Sequence, residues 1–490
     1  MSEEGSKGLD LFNKRNIHFL VGIGIMIGFG LIPPAAPLTA VGMRVIGVFL
    51  GTLYLWSTSD MGSASIIGLV ALGLFGFEDM ITVFASAAGS IIVVQTIFVM
   101  ILAGAMVEEG ISDHIGRFIL TRKLVRGRPW ALLLAICFTC FLIAIFIDSF
   151  LPIFLFWPIC FGIFEDVGFS KSDKFPKIAL IMVVTSSMIG FPVAPYKDSI
   201  LVLLMNYRTI SGDPSIVNNG MYFITFLLLG ILFISVLTLV GKFVFRPNVA
   251  PIKDLDPAKL AEKNPLVPLD TRQKVLSAMF VVYALWMLIP SWFPTVPGLD
   301  FLSENALAWA TVFVGVLSIV RLGGRPILPL TATVKKQVNW GVVVLIAAVV
   351  KLGSSLSNEQ VGLSAWLSQV FTPLFQNMSF VAFAAFMLLL LCALTNVSNS
   401  LVIGMVTQPI ILVFAQVSGA NVAPIVALGA FFVLSSAMLT PAASPFAAVM
   451  FSASEGWLKS SDIVRYAGTF VVVEFVLLLV IGLPFASLTL

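Results

Sequence analysis

Apolar runs of helix-spanning length, divided by short charged or proline-containing stretches, make up most of the chain. A helix that crosses a bilayer needs about 20 apolar residues. On that rule, spans are expected near 16–33, 39–58, 62–77, 84–108, 218–244, 275–293, 303–320, 338–354 and 461–486. The remaining apolar runs do not fit one span each. Residues 129–165 and 378–415 are too long and are interrupted by Asp148-Ser149 and by Thr395-Asn396-Val397-Ser398-Asn399-Ser400. Both are expected to be re-entrant helical hairpins with the polar residues at the tip. Residues 175–211 and 421–456 are interrupted at Gly190-Phe191-Pro192-Val193-Ala194-Pro195 and around Thr440-Pro441. Glycine and proline remove helical hydrogen bonds, so these are expected to be broken spans.

Charge fixes the orientation. Residues 110–128 interleave Arg117, Arg122, Lys123, Arg126 and Arg128 with Ile115, Phe118 and Ile119, as in an amphipathic helix on the cytoplasmic surface. Lys and Arg also cluster in the N-terminal tail and in 171–177, 242–272 and 321–336, whereas none occurs between Gly353 and Leu458. The positive-inside rule then puts the N-terminus in the cytoplasm and 355–377 outside. Eleven crossings and two hairpins place the C-terminus outside. The expected layout is a tail over 1–15, a first half over 16–244, a linker over 245–274 and a second half over 275–490.

Composition sharpens the class. With 490 residues, 59% hydrophobic and 11% charged, the chain is an all-α polytopic membrane protein. A net charge of +3, carried in the loops, does not point to nucleic acid. Two histidines, His18 and His114, are too few for a histidine metal site or a catalytic triad. Cys137 and Cys140 have the spacing of a metal or redox pair, but they stand in an apolar segment without companions and are read as packing. No phosphate-binding loop of a nucleotide-driven pump occurs. Neither an enzyme, a transition metal nor an organic cofactor is expected. Arg44, Lys351, Glu108 and Glu109 stand near span ends, where charged side chains reach the interface.

The two halves repeat. Asp148-Ser149 precedes Pro158-Ile159 at the distance that separates Asn399-Ser400 from Pro409-Ile410. Ser186-Ser187 and Pro192 align with Ser435-Ser436 and Pro441, and Ala194 with Ala443. Inverted repeats with paired discontinuous helices mark secondary transporters, with the substrate between them at mid-membrane. Tips and breaks expose carbonyls for a cation and helix N-termini for an anion, and Ser149, Ser398, Asn399, Ser400 and Thr440 add oxygens and donors.

At these residues the chain resembles the divalent anion/sodium symporter family of dicarboxylate, citrate and sulfate carriers, within the ion transporter superfamily. That family carries Ser-Asn-Thr at each tip and a proline-rich break after each hairpin. Ser398-Asn399-Ser400 and Thr440-Pro441-Ala442-Ala443-Ser444-Pro445 match the second pair, and Gly190 to Pro195 matches the first break. The resemblance implies a sodium-coupled elevator carrier, a homodimer in the plasma membrane, with di- or tricarboxylate as substrate. It implies sodium ligands at Asp148, Ser149 and Gly190 on one side and at Thr395, Asn399 and Ala443 on the other. Substrate contacts would come from Ser149, Ser398, Asn399, Ser400, Pro192, Thr440, Pro441 and Lys197. The departure is Ile147-Asp148-Ser149 at the first tip. An Asp there is a sodium ligand, a proton-titrating group, a partner of Lys197 or only the cap of the following helix. Proton coupling, or exchange with an altered substrate, is the alternative that it raises.

Overall fold

The computed structural model describes residues 14–111, 114, 128–253, 268–293, 295–356, 358–441 and 443–490. The tail, almost all of the amphipathic 110–128 segment and the middle of the 245–274 linker lie outside them. The protein is an all-α polytopic membrane protein. The only strands among the described residues are a two-residue antiparallel pair, β1 (Arg321–Leu322) and β2 (Arg325–Pro326).

The first half runs through α1 (Lys14–Leu31), α2 (Ala40–Thr58), α3 (Met61–Leu74), α4 (Met80–Ala88), α5 (Ile91–Glu108), α6 (Pro129–Phe146), α7 (Leu151–Asp166), α8 (Lys174–Gly190), α9 (Asp198–Ser211) and α10 (Asn219–Phe243). After α11 (Thr271–Trp292) come α12 (Ala306–Ile319), α13 (Leu330–Gln337), α14 (Trp340–Leu356) and α15 (Leu363–Phe375). The chain ends with α16 (Phe380–Thr395), α17 (Ser400–Ser418), α18 (Ala423–Ser435), α19 (Pro445–Ser452), α20 (Ser460–Leu477), a π-turn at Leu478–Gly482 and α21 (Leu483–Thr489).

Six helices among the described residues are long and apolar enough to cross a bilayer. The runs expected to cross at 62–77 and 303–320 form helices of 14 residues each. The run expected as one span over 84–108 is two helices. Asp79 starts α4 by accepting from the Thr82 amide (2.9 Å), and the chain breaks at Gly89 before α5 begins.

The chain forms two compact units, one from residues 1–93 and 339–376 and the other from 94–338 and 377–490. In the first unit, α1 and α2 cross closely. A Cβ on Gly47 would lie 2.7 Å from the Met26 carbonyl oxygen, and one on Gly51 2.6 Å from that of Gly22. Gly47-Val48-Phe49-Leu50-Gly51 thus forms a small-residue seam of the membrane-helix kind. Gly362 opens α15 at φ +74°, and a Cβ there would stand 2.2 Å from the Pro37 oxygen. Lys351 and Glu78 pair at 2.5 Å, with the ammonium 5.7 Å from the Phe77 ring. Lys351 is buried and is held by its ion pair with the part-exposed Glu78.

The second unit holds both helix pairs and both interrupted helices. Its core is the nearly solvent-free α8 and α18, each with its hairpin helix packed against it. Phe141 of α6 sits between Gly190 of α8 and Gly230 of α10, where a Cβ would meet its carbonyl oxygen at 2.6 Å and its ring at 2.5 Å. Phe383 and Phe414 stack at 3.8 Å between α16 and α17. Glu108 and Glu109 are also tied down. Arg272 pairs with Glu109 at 2.9 Å, and Thr333 donates to Glu108 at 2.6 Å.

Candidate functional site

The two tips are built alike. Helix α6 ends at Phe146, and Asp148 accepts through one oxygen, Oδ1, from the amides of Phe150 (2.8 Å) and Leu151 (2.7 Å). At the matching position Asn399 Oδ1 accepts from the amides of Leu401 (3.1 Å) and Val402 (3.3 Å). Each side chain satisfies N–H groups that a helix start leaves open. The capping role weighed for Asp148 is therefore present in the structure. Its Oδ2 makes no hydrogen bond or ion pair among the described residues.

Behind each cap stands a buried serine, Ser149 at the first tip and Ser400 at the second. Serine and threonine in membrane helices commonly bond back to their own helix. Thr185 does so to Ile181 (2.9 Å), Ser187 to Val183 (3.1 Å) and Ser436 to Phe432 (2.6 Å). The Ser149 and Ser400 hydroxyls make no such bond and have no hydrogen-bond partner among the described residues.

Each hairpin is clasped to the break that follows it, by different chemistry in the two halves. In the first half the clasp comes from the break. The buried Lys197 ammonium donates to the Ala144 carbonyl of α6 (2.8 Å) and pairs with Asp198 at 3.3 Å. Asp198 follows at φ +54°, a left-handed conformation that is strained for a side-chain-bearing residue. The expected pairing of Asp148 with Lys197 is not formed: Lys197 pairs with Asp198, and Asp148 has no cation at ion-pair distance among the described residues. In the second half the clasp comes from the hairpin. Asn396 donates to the carbonyls of Cys392 (2.8 Å) and Ser436 (3.2 Å), and its Oδ1 accepts from the amides of Met438 (3.1 Å) and Leu439 (2.8 Å). Thr440 returns a bond to the Asn396 carbonyl at 2.6 Å. Thr395, one residue earlier, donates to the Val433 carbonyl at 3.0 Å.

The two halves touch at the first tip and the breaks, and again between α9 and α17. Phe150 of the first tip stacks on Phe446 of α19 at 4.1 Å, and Phe191 of the first break lies 5.5 Å from that ring. Thr185 of α8 reaches the Met438 sulfur in the second break at 3.8 Å. Asn206 of α9 donates to Gln408 of α17 at 2.6 Å. The break residues are otherwise occupied locally. The Gly190 carbonyl accepts from Val193 (3.2 Å), the Pro192 carbonyl from the Tyr222 hydroxyl (2.8 Å), and the Ala443 amide donates to Thr440 (3.1 Å). Pro441 is exposed and Ser398 partly exposed, while Ala443 is buried. Among the described residues no group of three or more His, Cys, Asp or Glu is arranged to hold a metal.

Two functional candidates escape the sequence reading. Asn396 lies inside the polar stretch but looks no different from Asn399 until its partners are seen. Glu474 of α20 is fully buried and accepts a short hydrogen bond from Ser435, at the edge of the second break. It is the only acid within the apolar run 463–490, which is the signal that marks it.

Two interrupted helices and two capped hairpin tips, gathered in one apolar helical unit, define a secondary transporter of the repeat-built class. The chain belongs to the citrate transporter family, whose model matches residues 52–433. No curated protein matches it significantly by sequence. The crystal structure of the Alcanivorax borkumensis YdaH transporter, reported for its unusual topology, is similar with a TM-score of 0.53. That match has 14% identity and covers 95% of this chain and 97% of that one, so it is the fold that the two share. The protein is an integral membrane transporter and not an enzyme.

Proposed function

We propose that the protein carries small di- or tricarboxylate anions, citrate foremost, by sodium-coupled elevator-type alternating access. It works as a homodimer in the plasma membrane, with the N-terminus cytoplasmic and the C-terminus outside. The observation that carries this reading is the pair of buried, unpartnered hydroxyls, Ser149 and Ser400, each beside a capped helix start at a tip. Hydroxyls and helix N-termini together suit a carboxylate. Ser398, Asn399, Thr440, Pro192 and Pro441 complete the substrate surface.

Charge at the first tip gives sodium its part. With Asp148 ionised, Asp148, Lys197 and Asp198 together carry one net negative charge, since Lys197 offsets Asp198. That charge repels a di- or trianion. A sodium ion on Asp148 Oδ2, with Ser149 and Gly190, removes the repulsion, and Thr395, Asn399 and Ala443 form the second cation place. Cation binding therefore precedes anion binding.

The test is a thermal-shift screen of the purified protein with citrate, succinate, sulfate and acetate, each in sodium and in potassium. Citrate or succinate should stabilise in sodium and not in potassium. Absence of stabilisation by every anion counts against the assignment. Proton coupling is a second reading, favoured by the buried Glu474 at the second break.

A further inference from the structure

Among the described residues Glu474 is the only buried acid, and it makes no ion pair. It stands in α20, one turn before the helix widens into the π-turn at Leu478–Gly482. Such widenings concentrate at functional sites. The residue is 0% exposed. Oε1 accepts from the Ser435 hydroxyl, and Oε2 has no partner among the described residues.

The groups that face it are few. Helix α18 presents Ser435, and α16 presents Cys392, the titratable side chain that interacts with Glu474. Helices α18, α19 and α21 carry no charged residue. On α8, Lys177 pairs with Asp462 at 2.9 Å, and Lys174 lies one turn away at the same helix end. Asp462 itself is about 18 Å from Glu474 along α20, at 1.5 Å per residue. On α10, Lys242 lies over the Phe243 ring at 5.0 Å. No Lys, Arg or His reaches ion-pair distance of Glu474 among the described residues. A carboxylate ion so placed is costly, while a neutral acid is not: Oε1 takes the serine hydroxyl and Oε2 carries the proton.

The residue is also wired to the break. Ser435 is the last residue of α18, and the next carbonyl, of Ser436, is the one that Asn396 holds from the hairpin. In the first half α10 touches the break through a phenol, Tyr222 onto the Pro192 carbonyl. In the second half α20 touches the helix end before the break through a carboxyl, Glu474 at Ser435.

We propose that Glu474 is a proton-binding site that switches the second break. One proton leaves Oε2 for water and later returns; no other bond changes. The ion left behind draws Ser435 and water toward it, which strains the Ser436 to Asn396 clasp. The proposal deepens the proton-coupled reading and rests on it.

The test uses the full-length protein in lipid, followed by pH-difference infrared spectroscopy and by amide exchange over 436–444. Wild type should show a carboxylic-acid band that fades as pH rises, with exchange at the break rising in parallel at least tenfold. Glu474→Gln should lack both responses. Glu474→Asp should shift the band, which guards against misfolding of the first variant. Ser435→Ala should move the midpoint of the titration. A wild-type spectrum and break exchange that ignore pH, or pH responses retained in Glu474→Gln, overturn the proposal. Proteoliposomes loaded with a pH dye and given citrate separate the two levels. Citrate entry without proton entry refutes the coupled reading while a titrating band leaves the site standing; proton entry unchanged in Glu474→Gln refutes the site.

Discussion

Replacing Asn396 by alanine removes both side-chain links of the second clasp in one step and leaves the Thr440 bond to the residue-396 carbonyl. The Leu439 amide loses its Oδ1 acceptor, whereas the Met438 amide keeps the Ser436 carbonyl at 2.9 Å. A part-buried donor left without an acceptor costs about 1–3 kcal/mol, and the lost bond to the Ser436 carbonyl adds about 1 kcal/mol. The break should therefore open more easily by about 2–4 kcal/mol. At about 1.4 kcal/mol per factor of ten, amide exchange at Leu439 accelerates by about 30- to 700-fold. Asn396→Asp keeps the acceptor and loses the donor, so it should fall between wild type and alanine. Residues 191–197, clasped through Lys197 instead, should change by no more than a few-fold. Exchange at Leu439 that stays at the wild-type rate in Asn396→Ala would show that the amide does not hold the break.

Two further outcomes follow from packing and charge. Gly190→Ala places a Cβ 2.6 Å from the Phe141 carbonyl oxygen, a backbone atom that cannot rotate away. Stability in a thermal melt should drop by about 1–3 kcal/mol, and an unchanged melt would refute the close crossing of α6 and α8. In the first unit, Glu78→Gln strands the buried Lys351 ammonium and should cost about 3–5 kcal/mol. Lys351→Met should cost less, because the Glu78 carboxylate, 31% exposed, still reaches water. The double variant should recover most of the loss, and equal costs for the two single variants would contradict this account.

Much of the architecture is legible because polar residues stand out against an apolar chain. Asp148, Asn399, Gly190 and Pro441 all mark places where helices end, and their phase reveals the repeat. What is not legible depends on partners far along the chain. Lys197 has several plausible partners in sequence, but only the fold brings the Ala144 carbonyl, 53 residues away, to its ammonium. Asn396 and Asn399 are the same side chain three positions apart. One turns back onto its own helix and the other crosses to the break, a distinction made by the turn geometry alone. The split of the 84–108 run at Gly89 was hidden because Asp79 reads as a loop residue until it is seen capping α4. Glu474 and the Gly47–Gly51 seam carry readable local signals, a lone acid in an apolar run and small residues four apart.

The most direct measurement is uptake of labelled citrate into proteoliposomes under an inward sodium gradient, for wild type and for Asn399→Ala. Citrate should accumulate above its external concentration in wild type and fall at least tenfold in a folded Asn399→Ala variant. No accumulation in wild type under a sodium or a proton gradient, or undiminished accumulation in the variant, would contradict a carboxylate site at the hairpin tips.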